Sequence, residues 1–304
     1  DNTFWGGIEG ADGVDNIEIG QETSLAQTYS EFQEYVKLHK QLGVLLTVNS
    51  KNDLNNAISG FERPDSELNK EDFVSFKANW NPKSVNIVET AQELTLLPES
   101  FVFVDDNPAE RAIIESQVEG VAVPQIDCVE HYIQEIDKAG YFEVTNLSGD
   151  DLKRNKMYQE NAKRTELQSS FVDYEDYLKS LEMKGEIHSF VPMYMSRIAQ
   201  LTNKSNQFNL TTKRYSQNDI ENVAADTNHI TLYGKLGDRF GDNGVVSIVI
   251  GRIDGEHKDE LHMELWLMSC RVLKRDMEYA MMDELVSKAK AAGIKKIIGY
   301  YYPT

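Results

Sequence analysis

Cysteine is nearly absent from this chain. The two present, Cys128 and Cys270, fall in different halves of 304 residues. Neither a disulfide framework nor a zinc cluster is indicated, and a reducing, cytoplasmic setting fits. Positive charge is also short. Lys and Arg number 31 against 50 Asp and Glu, a formal net charge of −19. That argues against nucleic-acid and anionic-membrane partners, because both need a cationic surface. No apolar run approaches the length of a membrane span, and no signal peptide is visible. The histidines, His39, His131, His188, His229, His257 and His262, show no metal-ligand spacing and read as surface or structural. There is no internal repeat and no low-complexity tract. The chain does have 40% hydrophobic residues, enough for ordinary cores, and a length that predicts two domains.

The most informative stretch is Ser100 to Pro108. Phe101-Val102-Phe103-Val104 reads as a buried strand. It stops at Asp105-Asp106, and Asn107-Pro108 breaks it. In an open α/β sheet, ligands bind beyond the carboxyl ends of the strands. Two adjacent acids there repel each other, and a divalent cation offsets that repulsion. The same residues also fit a plain turn and cap before a helix over Ala109-Glu119, and both readings stand. Val44-Val48 is a second buried strand, running into Asn49-Ser50-Lys51-Asn52. Ser50 and the backbone N–H groups after it fit a phosphoryl oxygen, or an ordinary turn. In Asn79-Trp80-Asn81-Pro82-Lys83-Ser84, Lys83 falls in the first turn of a predicted helix. Helix-dipole preference favours acids there, so Lys83 makes sense as the neutraliser of an anion or a carboxylate. Asp1-Asn2-Thr3-Phe4-Trp5-Gly6-Gly7 opens a turn into a glycine-rich hairpin.

In that order, these four motifs resemble the haloacid dehalogenase (HAD) superfamily of phosphatases, and more closely its FkbH-like branch, subfamily IIIC. The resemblance covers roughly the first 140 residues. It implies a Mg²⁺-dependent hydrolase working through an aspartyl-phosphate. Asp1 aligns with the family's general acid/base, and its backbone carbonyl with a metal ligand. The nucleophile and its strand are expected upstream of Asp1, so the chain reads as a fragment; the end at Gly299-Thr304 likewise reads as an interrupted strand. Asp106 is implied as a metal ligand, with Asp105 ligating or orienting the ion. Ser50, Lys51, Asn52 and Lys83 are implied as substrate-binding, with Ser50 and Lys83 holding the phosphoryl oxygens in the transition state. The implied substrate is a phosphorylated small molecule or carrier-linked group. FkbH-like proteins resemble enzymes that load a glyceryl group onto an acyl carrier protein. Many carry Cys just before the motif Ser, where this chain has Asn49. A catalytically weak scaffold or binding protein is the alternative from another class.

The first domain is expected over residues 1–143. Ser24-Gln41 reads as an amphipathic helix. A helix over Glu89-Leu97 and a short strand at Val121-Val123 complete an alternation that predicts a parallel sheet with helices on both faces. The stretch after Ser50 leaves no room for a lid, which implies a capless HAD domain with a Rossmann-like sheet. Trp5 is expected over the site mouth. Trp80 fits either the substrate rim or the core.

The second domain is expected over 144–304. Ser148 and Asp151 resemble a capping box before a helix at Leu152-Leu167. Helices follow at Tyr174-Leu181, Met193-Phe208 and Ser216-Ala225. Strands are predicted around Ile230-Gly234 and at Gly244-Ile253 and Leu261-Ser269, then a helix at Asp276-Ala292 and a strand at Lys295-Tyr302. Leu201-Asn209 and Trp266-Leu273 make this half similar to the GNAT acyltransferase superfamily, an α+β fold. The overall fold class is thus α/β, a capless HAD domain followed by a GNAT-like one. In that superfamily a glycine-containing strand-to-helix turn cradles the pyrophosphate of acyl-CoA. Here Arg271-Val272-Leu273-Lys274-Arg275-Asp276 keeps the arginine, while Lys274 and Asp276 replace the glycines. The expectation is lost acyl-CoA binding, with Lys274 and Arg275 as partial compensation for the charge of Asp276.

Overall fold

The computed structural model describes residues 1–144, 147, 149–204 and 208–302. The expected boundary residues Thr145, Asn146 and Ser148, residues 205–207 of the Leu201-Asn209 motif, and Pro303-Thr304 of the expected last strand lie outside the described residues. Contacts divide the chain into two units, 1–159 and 160–304. The residues just past the expected boundary at 143/144 are tied to the first unit by hydrogen bonds. Asn155 Nδ2 donates to the carbonyls of Lys40 and Val44, both at 2.9 Å.

The first unit runs α1 (Glu9–Asp12), α2 (Ser24–Gln41), β1 (Leu46–Ser50), α3 (Leu54–Ser59), β2 (Phe73–Ala78), α4 (Lys83–Leu94), α5 (Pro108–Gln117), α6 (Val129–Lys138), α7 (Gly149–Leu152) and the first turns of α8 (Arg154–Ser169). β1 and β2 pair in parallel. The expected strand at Phe101-Val104 forms a parallel bridge, Val102 with Ala122. The pairing is carried by Phe103 N to Ala122 O at 2.8 Å and Ala122 N to Phe101 O at 3.0 Å. Adjacent strand residues point to opposite faces. Accordingly Phe103 joins Ile87, Ile114 and Val118 of the α4/α5 side. Val104 packs against Phe32, Tyr132 and Ile136 of the α2/α6 side. Helices therefore cover both faces, as the alternation predicts. Each fully buried Ile or Phe contributes about 1.5–3 kcal/mol. The expected hairpin at the start is a single antiparallel bridge, Gly6 with Glu18, closed around α1. After β1 the connection carries α3 and a short 3₁₀ turn at Lys70–Asp72, with no cap module among the described residues.

The rest of α8 and α9 (Tyr174–Ser180), β3 (Lys184–His188), α10 (Met195–Lys204), β4 (Phe208–Asn209), α11 (Gln217–Ala225), β5 (His229–Asp238), β6 (Gly241–Ile253), β7 (Glu260–Met268), α12 (Met277–Ala291) and β8 (Lys296–Gly299) make the second unit. Its sheet order is β3-β5-β6-β7-β4, with β8 also on β7. All pairings are antiparallel except β7 with β8. Val249 packs with Met277, Met281 and Leu285 of α12, and its neighbours Ile248 and Ile250 face Ile198 of α10 and Ile220 of α11. Gly234 permits that close approach: a Cβ there would lie 2.2 Å from Met277 Cε. The unit is α+β, as expected. The predicted helix at Met193-Phe208 is shorter, because Phe208-Asn209 pairs with Leu267-Met268 as a strand.

Candidate active site

The first unit gathers its polar residues at the carboxyl ends of β1, β2 and the Phe101-Val104 segment. The segment Asp1-Asn2-Thr3 connects two of these ends, and Asp1 reaches the first. Its Oδ2 accepts from Asn52 Nδ2 at 3.3 Å, just past β1. Its Oδ1 accepts from Trp5 Nε1 at 3.2 Å and from the Glu9 amide at 3.1 Å. Thr3 Oγ1 donates to Asp106 Oδ1 at 3.1 Å. Asn2 between them is held in the left-handed region, with φ of 52°, and its carbonyl accepts from the Tyr29 and Tyr132 hydroxyls at 3.3 and 3.1 Å. Burial, with the Asp106 charge next, pushes the Tyr29 phenol up to about 12. Burial also raises Tyr132, followed by its neighbours Tyr29 and Asp106. Both phenols therefore stay neutral and donate.

Lys83 opens α4, and its Nζ lies 2.5 Å from Asp105 Oδ2, with side chains 13% and 5% exposed. The other Asp105 oxygen accepts from the Asn107 amide at 2.9 Å. Arg111 Nη1 donates to the carbonyls of Asp105 and Asp106 at 2.7 and 2.9 Å, which fixes the end of the segment. Asp106 Oδ2 accepts no hydrogen bond from the described residues. Asn107 caps α5, accepting from the Ala109 amide at 2.9 Å, so the cap reading and the acid-cluster reading are both satisfied by one turn. A hard-cation site needs oxygen donors. Asp106 keeps one carboxylate oxygen without a hydrogen bond from the described residues, both Asp1 carboxylate oxygens accept hydrogen bonds, and Asp105 is turned toward Lys83.

Other expected site residues are placed differently from one another. Ser50 is half-buried at the end of β1, and its hydroxyl makes no bond to the described residues. Lys51 Nζ is 2.5 Å from Glu110 Oε1; it is ion-paired rather than free. Asn52 is buried, and it orients Asp1 and accepts from the Asp53 amide at 2.8 Å. Asn49, where the resemblance places a thioester cysteine in many members, is structural. Its amide donates to the Lys83 carbonyl at 2.8 Å and accepts from Asn86 at 3.0 Å, tying β1 to the start of α4. Trp5 is 3% exposed and edge-on to Phe61, so it lies in the core and not over the mouth. Trp80 is 71% exposed, which excludes the core reading.

Sequence reasoning missed Thr3, Arg111 and the Asn79-Asn86 pair. Thr3 stood inside a quoted motif and Arg111 inside a predicted helix, but the partner of Thr3 is 103 residues away and those of Arg111 are backbone carbonyls. It also missed a surface group. Asp127, Cys128 and His131 bring one ligand atom each within 4.8 Å of one another. Their hydrogen bonds satisfy one another at the start of α6: Cys128 Sγ to His131 Nδ1 is 3.4 Å and His131 Nδ1 to Asp127 Oδ1 is 3.1 Å.

In the second unit the turn before α12 departs from expectation in two ways. Lys274 and Asp276 hold φ of 62° and 61°. The backbone thus keeps a left-handed conformation that glycine adopts without cost. Arg275 is buried and does not compensate charge at the turn. Its Nη1 donates to Asp238 Oδ2 at 3.2 Å, alongside Arg164, whose Nε and Nη2 reach the two Asp238 oxygens at 2.6 and 2.8 Å. Left-handed backbone is strained for a lysine, less so for an aspartate. Lys274→Gly is expected to raise stability by about 0.5–1 kcal/mol, read as a higher denaturation midpoint; an unchanged or lower midpoint would show the strain is absent.

No family model matches the chain, and no curated protein matches it. Solved structures do. The N-terminal part of protein BF1531 from Bacteroides fragilis, which contains a phosphatase domain and was complexed with Mg, shares 38% identity at a TM-score of 0.47 and covers 48% of this chain and 40% of its own. The ribosomal-protein-S18-alanine N-acetyltransferase of Escherichia coli shares 10% identity at a TM-score of 0.29, covering 38% of this chain and 64% of its own. The ribosomal-protein-alanine N-acetyltransferase of Brucella melitensis biovar Abortus 2308 shares 17% identity at 0.30, covering 40% and 82%. The chain spans less than two thirds of the length of the first two.

Proposed function

We propose that the chain carries a Mg²⁺-dependent phosphatase site of the HAD type, FkbH-like, acting on a phosphorylated small molecule or carrier-linked group. The observation that carries this reading is the Lys83–Asp105 pair at 2.5 Å beside Asp106, whose first oxygen is bonded to Thr3 and whose second accepts no hydrogen bond from the described residues. Asp106 and the Asp1 backbone carbonyl would hold Mg²⁺, with Asp105 orienting Lys83. The ion, when bound, neutralises charge on the phosphoryl oxygens.

The residues themselves do the rest. Ser50 offers its hydroxyl as a donor to a phosphoryl oxygen at the end of β1. Lys83 offers the ammonium protons left after its bond to Asp105. Asp1 would be the acid–base group that protonates a leaving oxygen and then takes a proton from water. Trp5, Glu9 and Asn52 fix its carboxylate, which limits its motion between those two tasks. Attack on phosphorus by a carboxylate is the step implied by the resemblance.

Phosphatase action is favoured over glyceryl loading because Asn49 is committed to hydrogen bonds within the scaffold. The second unit reads as a recognition or scaffolding module. Calorimetry is expected to show no acetyl-CoA binding at ordinary concentrations, because side chains at Lys274 and Asp276 crowd the turn and Asp276 adds negative charge. Micromolar affinity would put active acyl transfer ahead. The test of the main reading is phosphate release by the full-length protein over a panel of phosphomonoesters, with and without Mg²⁺. No Mg²⁺-dependent release from any of them would end it.

A further inference from the structure

We propose that Trp80 is a specificity-determining contact at the mouth of the phosphatase site, taking the flat carbon face of the leaving group of a phosphate monoester. The inference rests on the phosphatase reading and names its substrate class.

An indole 71% exposed leaves a large apolar face in water, and this one is tied by hydrogen bonds to the loop that holds Asp1. Trp80 lies in the loop between β2 and α4, three residues before Lys83. Its Nε1 donates to Asp53 Oδ1 at 3.2 Å, so it bridges to the loop at the end of β1. From Asp53 the hydrogen bonds run through Asn52 to Asp1.

The bridge is built at a cost elsewhere. Asp53 occupies the N-cap of α3 but makes no side-chain cap bond. Aspartate at that position ordinarily accepts from the first-turn amides and stabilises the helix. Here the carboxylate holds the indole edge instead, fixing the ring while its faces remain open. A ring held by its edge offers its π-face to a planar partner. The Asp53 carboxylate beside the ring disfavours a second phosphate there. The class that fits is therefore a monophosphate ester whose leaving group carries an aromatic ring or a comparable flat face and no further negative charge.

The test compares phenyl phosphate with methyl phosphate in the full-length protein with Mg²⁺, for the unaltered chain, Trp80→Ala and Trp80→Phe. The alanine variant is expected to lose about tenfold more kcat/KM on phenyl phosphate than on methyl phosphate, mainly through KM, with phenylalanine restoring most of the difference. Equal losses on both esters, or no loss on either, would overturn the assignment. If the unaltered protein hydrolyses neither ester, the phosphatase reading is decided by the wider panel of phosphomonoesters. Trp80 is then judged by binding: quenching of tryptophan fluorescence by phenyl phosphate that disappears in Trp80→Ala supports the contact, and quenching that persists or never occurs overturns it.

Discussion

Asp106→Ala is expected to abolish Mg²⁺-dependent phosphate release, lowering it by about a hundredfold or more, and to raise the Mg²⁺ concentration needed for half-maximal rate. The physical ground is the position of its carboxylate. One oxygen is held by Thr3 at 3.1 Å, which fixes the direction of the other. The backbone carbonyl is pinned by Arg111 at 2.9 Å, so removal of the side chain leaves the turn in place. Like charges in one site raise its energy until a cation arrives. The metal-free variant should therefore unfold at no lower temperature than the unaltered protein, whereas added Mg²⁺ should stabilise only the latter. Phosphate release titrated with Mg²⁺, together with thermal unfolding with and without the ion, reads both effects. An unchanged Mg²⁺ dependence would remove Asp106 from the site.

Lys83→Met has the second large effect, and it acts twice. Loss of a cation aimed at the transferring group is expected to lower turnover about 10²–10³-fold. The structure adds a stability cost that the position of Lys83 in a first helical turn did not announce. Asp105 is 5% exposed and its Oδ2 is bonded to Lys83. Removing one partner of a buried pair costs about 3–5 kcal/mol, because the other charge is left uncompensated. Adding Asp105→Asn should recover much of that stability while leaving turnover low, since the amide still presents an oxygen to the Asn107 amide. Near-normal turnover in Lys83→Met would mark Lys83 as structural only. A double variant no more stable than the single one would show that the pair is not the source of the loss.

Local pattern was a good guide wherever an element buries one face. The apolar run Phe101-Val104 and the spacing of Tyr29, Phe32 and Val36 placed a sheet segment and a helix correctly, because burial selects those residues whatever the partner. Phe73–Ala78 was not read as a strand, yet it pairs with β1 from end to end apart from an irregularity at Val74. It is a short segment in a polar neighbourhood, and its identity depends on partners 27 to 28 residues away. Lys184-His188 was missed for the same reason: only its pairing with β5 makes it a strand. Phe208-Asn209 was absorbed into the preceding helix until β7 claimed it.

The sequence by itself determined the class of the fold and the cast of the candidate site, since strand ends bearing Asp105-Asp106, Ser50 and Lys83 are legible one motif at a time. Which of those groups touch was decided by the tertiary structure alone. Lys83 could have neutralised any nearby anion; folding set it on Asp105. Lys51 was withdrawn to Glu110, Asn52 was turned to Asp1, and Arg275 was drawn inward to Asp238. Trp80 was left in solvent with its edge held by Asp53. A contact depends on the distance and direction between groups remote in the chain, and side-chain chemistry at one position carries no record of the partner that burial and backbone geometry will bring to it.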